Sequence, residues 1–218
     1  MERKEIDMVS AFQRPFRDMK KTGLGLLLFI IPLANIFSFG YILENAKLSM
    51  EGKKTLAPWK HTGALFVQGL FAILLEIIYS LPLLFVGVYT LSLSGIPLGQ
   101  LESVSFEAAL LSSPQWILGL AIVFGLFFAY FAPLAVLAYV HRSSLGEGFR
   151  FKRLWKKGIS KAYVLPWLVS IIFLNVLVFV VGLQFFDLGV VSYVLSRIAL
   201  YLGEIVRYTL LGEVYPRL

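Results

Sequence analysis

Five stretches of this chain are apolar over about the length of a bilayer-crossing helix, and no other feature constrains the fold as strongly. They cover 22–43, 64–93, 115–140, 163–186 and 188–212. A helix needs roughly 20 apolar residues to cross about 30 Å of hydrocarbon. Inside lipid only helices and closed barrels satisfy their own backbone. A barrel strand would alternate apolar and polar residues, and these runs do not. The sequence predicts an all-α integral membrane helical bundle, a single membrane domain over 1–218. Composition agrees, with 58% hydrophobic and only 15% charged residues, where a soluble chain carries about a quarter charged. A soluble fold of this size would leave so much apolar surface in water that it would aggregate.

The residue inventory removes most chemistries. With no cysteine there is no disulfide framework, thiolate metal site or cysteine nucleophile. His61 and His141 are the only histidines, and neither has metal-ligand spacing. Ser143 and Ser144 follow His141 without a nucleophile elbow, and no phosphate-binding glycine loop occurs. The expectation is a protein that is not an enzyme and has no metal and no cofactor. The net charge of +7 reads as the Lys/Arg bias of cytoplasmic membrane loops rather than as affinity for nucleic acid.

That bias is sharply sorted. Residues 1–21 hold Arg3, Lys4, Arg14, Arg17, Lys20 and Lys21, and residues 44–63 hold Lys47, Lys53, Lys54 and Lys60. Residues 141–162 hold seven more, whereas 94–114 hold none and carry Glu102 and Glu107; the 186–188 turn offers Asp187. The expected location is the cell membrane, multi-pass, with the basic loops and the C-terminus cytoplasmic and 94–114 outside. No cleavable leader is legible, because Glu2, Glu5, Asp7 and Asp18 interrupt the first 21 residues. The 22–43 segment has basic flanks on both sides and Pro32-Leu33-Ala34-Asn35 at its centre. It either crosses once with a proline kink or enters and returns as a re-entrant hairpin. Charge favours the hairpin.

Two stretches are amphipathic. Around 146–161, Phe151, Leu154, Trp155, Ile159 and Ala162 share one helical face. Arg150, Arg153, Lys156, Lys157 and Lys161 lie opposite, and Arg150, Lys152, Arg153, Lys156 and Lys157 are the candidate lipid-headgroup contacts. Such a helix lies in the headgroup plane against anionic lipids, or else caps the bundle. The N-terminal segment 1–21 is a weaker version, with Met8, Val9, Phe12, Phe16 and Met19 on one face and Pro15 interrupting it.

Several short patterns run the length of the chain: Pro15-Phe16, Gly23/Gly25, Ile31-Pro32, Gly40-Tyr41, Gly52, Leu56-Ala57-Pro58-Trp59, Leu65 to Leu70, Ile78-Tyr79 with Pro82, Gly146 to Phe149, and the closing Gly212-Glu213-Val214-Tyr215. Together they resemble an archaeal family of multi-pass membrane proteins, a domain of unknown function (4013-like). Gln68, where that family is expected to have an acid, and Ala57 depart from it. The resemblance implies a multi-pass helical protein and supplies no activity.

Ionisable residues inside apolar spans are costly and become functional suspects by default. Glu76 lies in the second run, and Arg197, Glu204 and Arg207 in the fifth. At 100° per residue Tyr193, Arg197, Tyr201, Glu204 and Tyr208 fall within about 80° of one another. Glu76, Arg197, Tyr201, Glu204 and Arg207 are therefore the candidate intramembrane polar network, with Asn35, Asn175 and Gln184 as auxiliaries. It serves either as interhelical glue or as a midplane binding site. Two classes of function stay open. One is a non-enzymatic membrane scaffold or assembly partner contacting anionic lipid, with small-residue seams at Gly119…Gly125 and Ala129…Ala132…Ala135 for a homo-oligomer or membrane protein partner. The other is a transporter or a lipid- or amphiphile-handling protein.

Overall fold

The computed structural model describes residues 7–93, 114–185 and 189–218. Among them are eight α-helices and no strand: α1 (Met8–Gln13), α2 (Met19–Ile30), α3 (Asn35–Met50), α4 (Thr62–Leu93), α5 (Gln115–Arg142), α6 (Phe151–Gly158), α7 (Lys161–Phe185) and α8 (Val190–Val214). They form two compact units, one of Met1–Ile73 with Leu134–Leu218 and the other of Leu74–Pro133. Helices α4 and α5 each run through both. The acidic 94–113 segment, Asp187, Arg3, Lys4 and the side chain of Gln184 lie outside the described residues.

Three helices are long and apolar enough to cross a membrane: α4, α5 and the Lys161–Val180 part of α7. Only 22%, 33% and 22% of their most apolar stretches are buried. Their outer faces carry Ile77, Leu84 and Phe85, then Ile122, Val123 and Leu126, then Ile172, Val176 and Phe179, all exposed. Water would penalise that surface at about 25 cal/mol per Å², whereas hydrocarbon dissolves it. The protein is a helical membrane protein.

The other two apolar runs differ from simple spans. Residues 22–43 do not form one helix. Ile31, preceding Pro32, leaves the helical region (φ −84°, ψ 121°), as steric contact with a following proline ring demands. Leu33 then takes a left-handed conformation (φ 66°), and α3 begins at Asn35. The result is a helical hairpin in which Ser38 Oγ donates to the Gly25 carbonyl at 2.7 Å. With 12 and 16 residues, its arms are about 18 and 24 Å long, both short of the roughly 30 Å hydrocarbon. The fifth run is a single helix of 25 residues, about 37 Å long, but its charged residues keep it out of the apolar class.

Glycines set the packing of the first unit. A Cβ on Gly40 would sit 1.9 Å from the Leu65 carbonyl oxygen, and one on Gly69 2.0 Å from that of Ile36. Helices α3 and α4 therefore cross backbone to backbone. Gly212 meets the Ala46 backbone on α3 in the same way, whereas Gly203 makes room for the Leu174 side chain of α7. In the second unit Tyr79 stacks on Phe127 at 6.2 Å and Tyr89 meets Trp116 at 6.0 Å. Of the small residues expected to form a seam for a partner helix, Gly119 and Gly125 would have nothing within 4 Å of an added Cβ, while Ala132 and Ala135 are buried.

Candidate functional site: a basic end and a charged helix

The hairpin brings both of its basic flanks to one end of the first unit. Arg14 is 2% exposed. It donates to the carbonyls of Lys53 at 3.1 Å and Thr55 at 2.8 Å, and also to Ser49 Oγ. Its pKa is pushed down to about 10, chiefly by burial, which leaves the guanidinium charged at neutral pH. Arg17 reaches the Lys54 carbonyl at 2.7 Å, and Trp59 Nε1 the Lys21 carbonyl at 3.0 Å. Asn45, fully buried, holds the loop in place by donating to the Tyr41 carbonyl and accepting from the Ala57 N–H. Asp7 pairs with Lys54, and that hydrogen bond, with one from the Ser10 N–H, holds its carboxyl below the usual range.

The end of α8 joins them. The Asp7 N–H donates to Glu213 at 3.3 Å, and Lys157 Nζ donates to the Tyr215 carbonyl at 3.1 Å from a position 3.8 Å over its ring. Of the 20 Lys and Arg in the chain, Arg3 and Lys4 are outside the described residues and Arg197 and Arg207 lie along α8. The remaining sixteen all belong to this end of the first unit.

Helix α6 is shorter than the amphipathic 146–161 stretch. A 3-10 turn covers Leu145–Phe149, and the helix proper covers Phe151–Gly158. Its apolar face is divided. Leu154 and Gly158 are buried against the first unit, while Phe151 (58%), Trp155 (57%) and Ile159 (63%) are exposed. Lys152 and Lys156 lie exposed beside them. Lys157 turns inward to Tyr215 instead, and its pKa is lowered, first by burial and then by Arg153 and Arg142. Arg150 and Arg153 are both engaged by Glu147, at 3.0 and 2.7 Å, and Arg142 joins them at 3.2 Å. Burial alone would raise the Glu147 carboxyl, but the three guanidiniums outweigh it and hold the group below its ordinary range.

Along α8 the polar stripe is divided among different neighbours. Glu204 and Arg207 pair at 3.0 Å and are mostly buried. Tyr201 packs its hydroxyl against Gly25 and its ring against Phe29 at 5.3 Å. Arg197 lies over the ring of Tyr193 at 5.1 Å. Glu204 Oε2, the Tyr201 hydroxyl and Thr209 Oγ1 are buried with no hydrogen-bond partner among the described residues. Asn175 is exposed and donates to Ile171 on its own helix, and Asn35 starts α3 at the hairpin tip. Glu76 is half-buried in the second unit.

Sequence reasoning does not single out the roles of Arg14, Asn45 or Glu147. Glu147 leaves a trace there, as a lone acid with arginines five before and three and six after it.

The family described as "Protein of unknown function (DUF4013)" matches residues 23–186, three quarters of the chain. The chain belongs to that family. The matched span runs from the hairpin through α7 and includes the Glu147 cluster, whereas Arg14 and α8 lie outside it. No curated protein and no solved structure matches the chain. Membership in the DUF4013 family agrees with the helical membrane fold and brings no activity with it.

Proposed function

We propose that this DUF4013 protein is a non-enzymatic, multi-pass membrane scaffold of the cell membrane that holds anionic lipid at its cytoplasmic face. One observation carries the reading: sixteen cationic side chains share an end of the first unit with an exposed Phe151, Trp155 and Ile159. Exposed aromatic and aliphatic groups beside Lys152 and Lys156 match the headgroup boundary, where the apolar side chains enter the acyl region and the cations meet phosphate. Cations at one end also match the inward-facing side of a membrane protein. In this arrangement α4, α5, α7 and α8 cross and the α2–α3 hairpin enters and returns. The scaffold would present its small-residue surface to a second copy or another membrane protein.

The test is a count of acidic lipids retained through mild-detergent purification, made by native mass spectrometry. Each base near an anionic surface contributes about 1 kcal/mol. Lys152→Gln with Lys156→Gln is expected to lower the number of phosphatidylglycerol molecules retained. An unchanged count overturns the reading.

A second reading, solute or amphiphile handling, is favoured by Glu204 Oε2 and the Tyr201 hydroxyl on α8, buried without a partner among the described residues, since such atoms are rare in folded proteins. Glu204→Gln with unchanged thermal stability but lost lipid or solute binding would favour it.

A further inference from the structure

Glu147 has more positive charge around it than it needs. Its side chain is 7% exposed, while those of Arg142, Arg150 and Arg153 are 50%, 57% and 40% exposed. One cation would neutralise the carboxylate. Three leave an excess of two positive charges and mutual repulsion among the guanidiniums. Each guanidinium has five N–H donors, and each of these directs one Nη toward Glu147. Each fork therefore carries further donors beyond the one turned to Glu147. Beside them Arg150, Phe151, Lys152, Arg153 and Lys156 line a concavity of about 500 Å³. Lys152 and Lys156 add two more charges at its rim.

We propose that Arg142, Arg150 and Arg153, aimed by the buried Glu147 carboxylate, form a binding site for a phosphomonoester dianion. A phosphomonoester carries close to two negative charges at pH 7, its second pKa being about 6, which matches the local excess. Guanidinium forks bind phosphate oxygens bidentately, and this geometry sets arginine apart from lysine. Glu147 is a positioning residue that fixes the forks before the ligand arrives. The exposed Phe151 and Trp155 beside the concavity put it at headgroup depth, so a phosphatidate-type lipid is one source of the phosphate and a soluble phosphomonoester is the other. The proposal deepens the anionic-lipid reading and rests on it for the lipid source.

The experiment titrates the purified full chain in mild detergent with dioctanoyl phosphatidate, dioctanoyl phosphatidylglycerol and glycerol 3-phosphate, using native mass spectrometry. The expected result is about tenfold tighter binding of phosphatidate, the monoester, than of the diester phosphatidylglycerol. Glu147→Gln raises the net charge by one, so a diffuse electrostatic surface would bind phosphatidate more tightly. An organised site loses its discrimination instead, because the forks are no longer aimed. Arg153→Lys keeps every charge at an exposed position and is expected to lose discrimination too. Glycerol 3-phosphate binding that disappears in Arg153→Lys assigns a soluble source and keeps the site. Phosphatidate binding as tight or tighter in Glu147→Gln, or undiminished discrimination in Arg153→Lys, overturns the proposal. If phosphatidylglycerol is still retained through Lys152 and Lys156 in that case, the lipid platform stands without the site.

Discussion

Replacing Gly69 with Ala tests the packing that holds the hairpin against α4. The added Cβ would lie 2.0 Å from the Ile36 carbonyl oxygen and 2.9 Å from the Gly40 nitrogen, both backbone atoms that no rotamer change can move. Ordinary van der Waals contact begins near 3.4 Å, so the two helices must separate by more than an ångström. Overpacking of this kind costs about 1–3 kcal/mol, and separation also loosens the Phe37–Phe66 contact at 5.1 Å. The gain in helix propensity from Gly to Ala, about 1 kcal/mol, offsets part of the loss. Gly119→Ala in α5 carries the same propensity gain with nothing within 4 Å of the new methyl. Thermal unfolding in one detergent, followed by intrinsic fluorescence, is expected to rank Gly119→Ala at or above the parent and Gly69→Ala clearly below it. Equal midpoints for the two variants would refute a backbone-to-backbone crossing of α3 and α4.

Arg14→Gln removes a charged donor from two carbonyls and a hydroxyl, at about 1.5–3 kcal/mol for each such bond before the loop rehydrates; it should destabilise the fold far more than Arg17→Gln, whose side chain is exposed, in the same unfolding assay. Glu204→Gln or Arg207→Gln alone leaves one member of a buried pair uncompensated, so each should lower the unfolding midpoint, and the double change should recover much of the loss; strictly additive losses would contradict the pairing. The folded-state pKa of Glu147 lies below its ordinary value of 4.5, so its stabilising contribution is present above that pH and is lost as pH falls through the lower folded value. Acid titration of unfolding should therefore show a loss below about pH 4.5 that Glu147→Gln reduces; identical profiles would contradict it.

The helical membrane fold was legible because long apolar runs admit few alternatives, and the hairpin was foreshadowed by Pro32 between two basic flanks. The basic character of 150–157 was legible too, since charge is a property of composition. What escaped was which neighbour each side chain finds. Tyr201, Glu204 and Arg197 share an angular sector of α8, yet Gly25 and Phe29 take the first, Arg207 the second and Tyr193 the third. Helical angle fixes a direction, and only the packed partners decide what lies there. The glycines behave alike. Gly40 and Gly69 look no different in sequence from Gly119 and Gly125, but the first pair is in backbone contact and the second is open. Arg14 reads as one more base of a cytoplasmic flank until the hairpin folds its two ends together over it.

The central claim is that the two flanks of the hairpin share one side of the membrane with α6. Because the chain has no cysteine, single cysteines at the exposed positions Phe16, Glu51 and Lys156 report the side directly, with Ser105→Cys in the acidic segment as the opposite-side probe. An impermeant maleimide added to intact cells should label only Ser105→Cys, and the other three should react once the membrane is opened. Labelling of Phe16→Cys from outside while Glu51→Cys stays protected would mean that 22–43 crosses the bilayer, and the account would be wrong at its foundation.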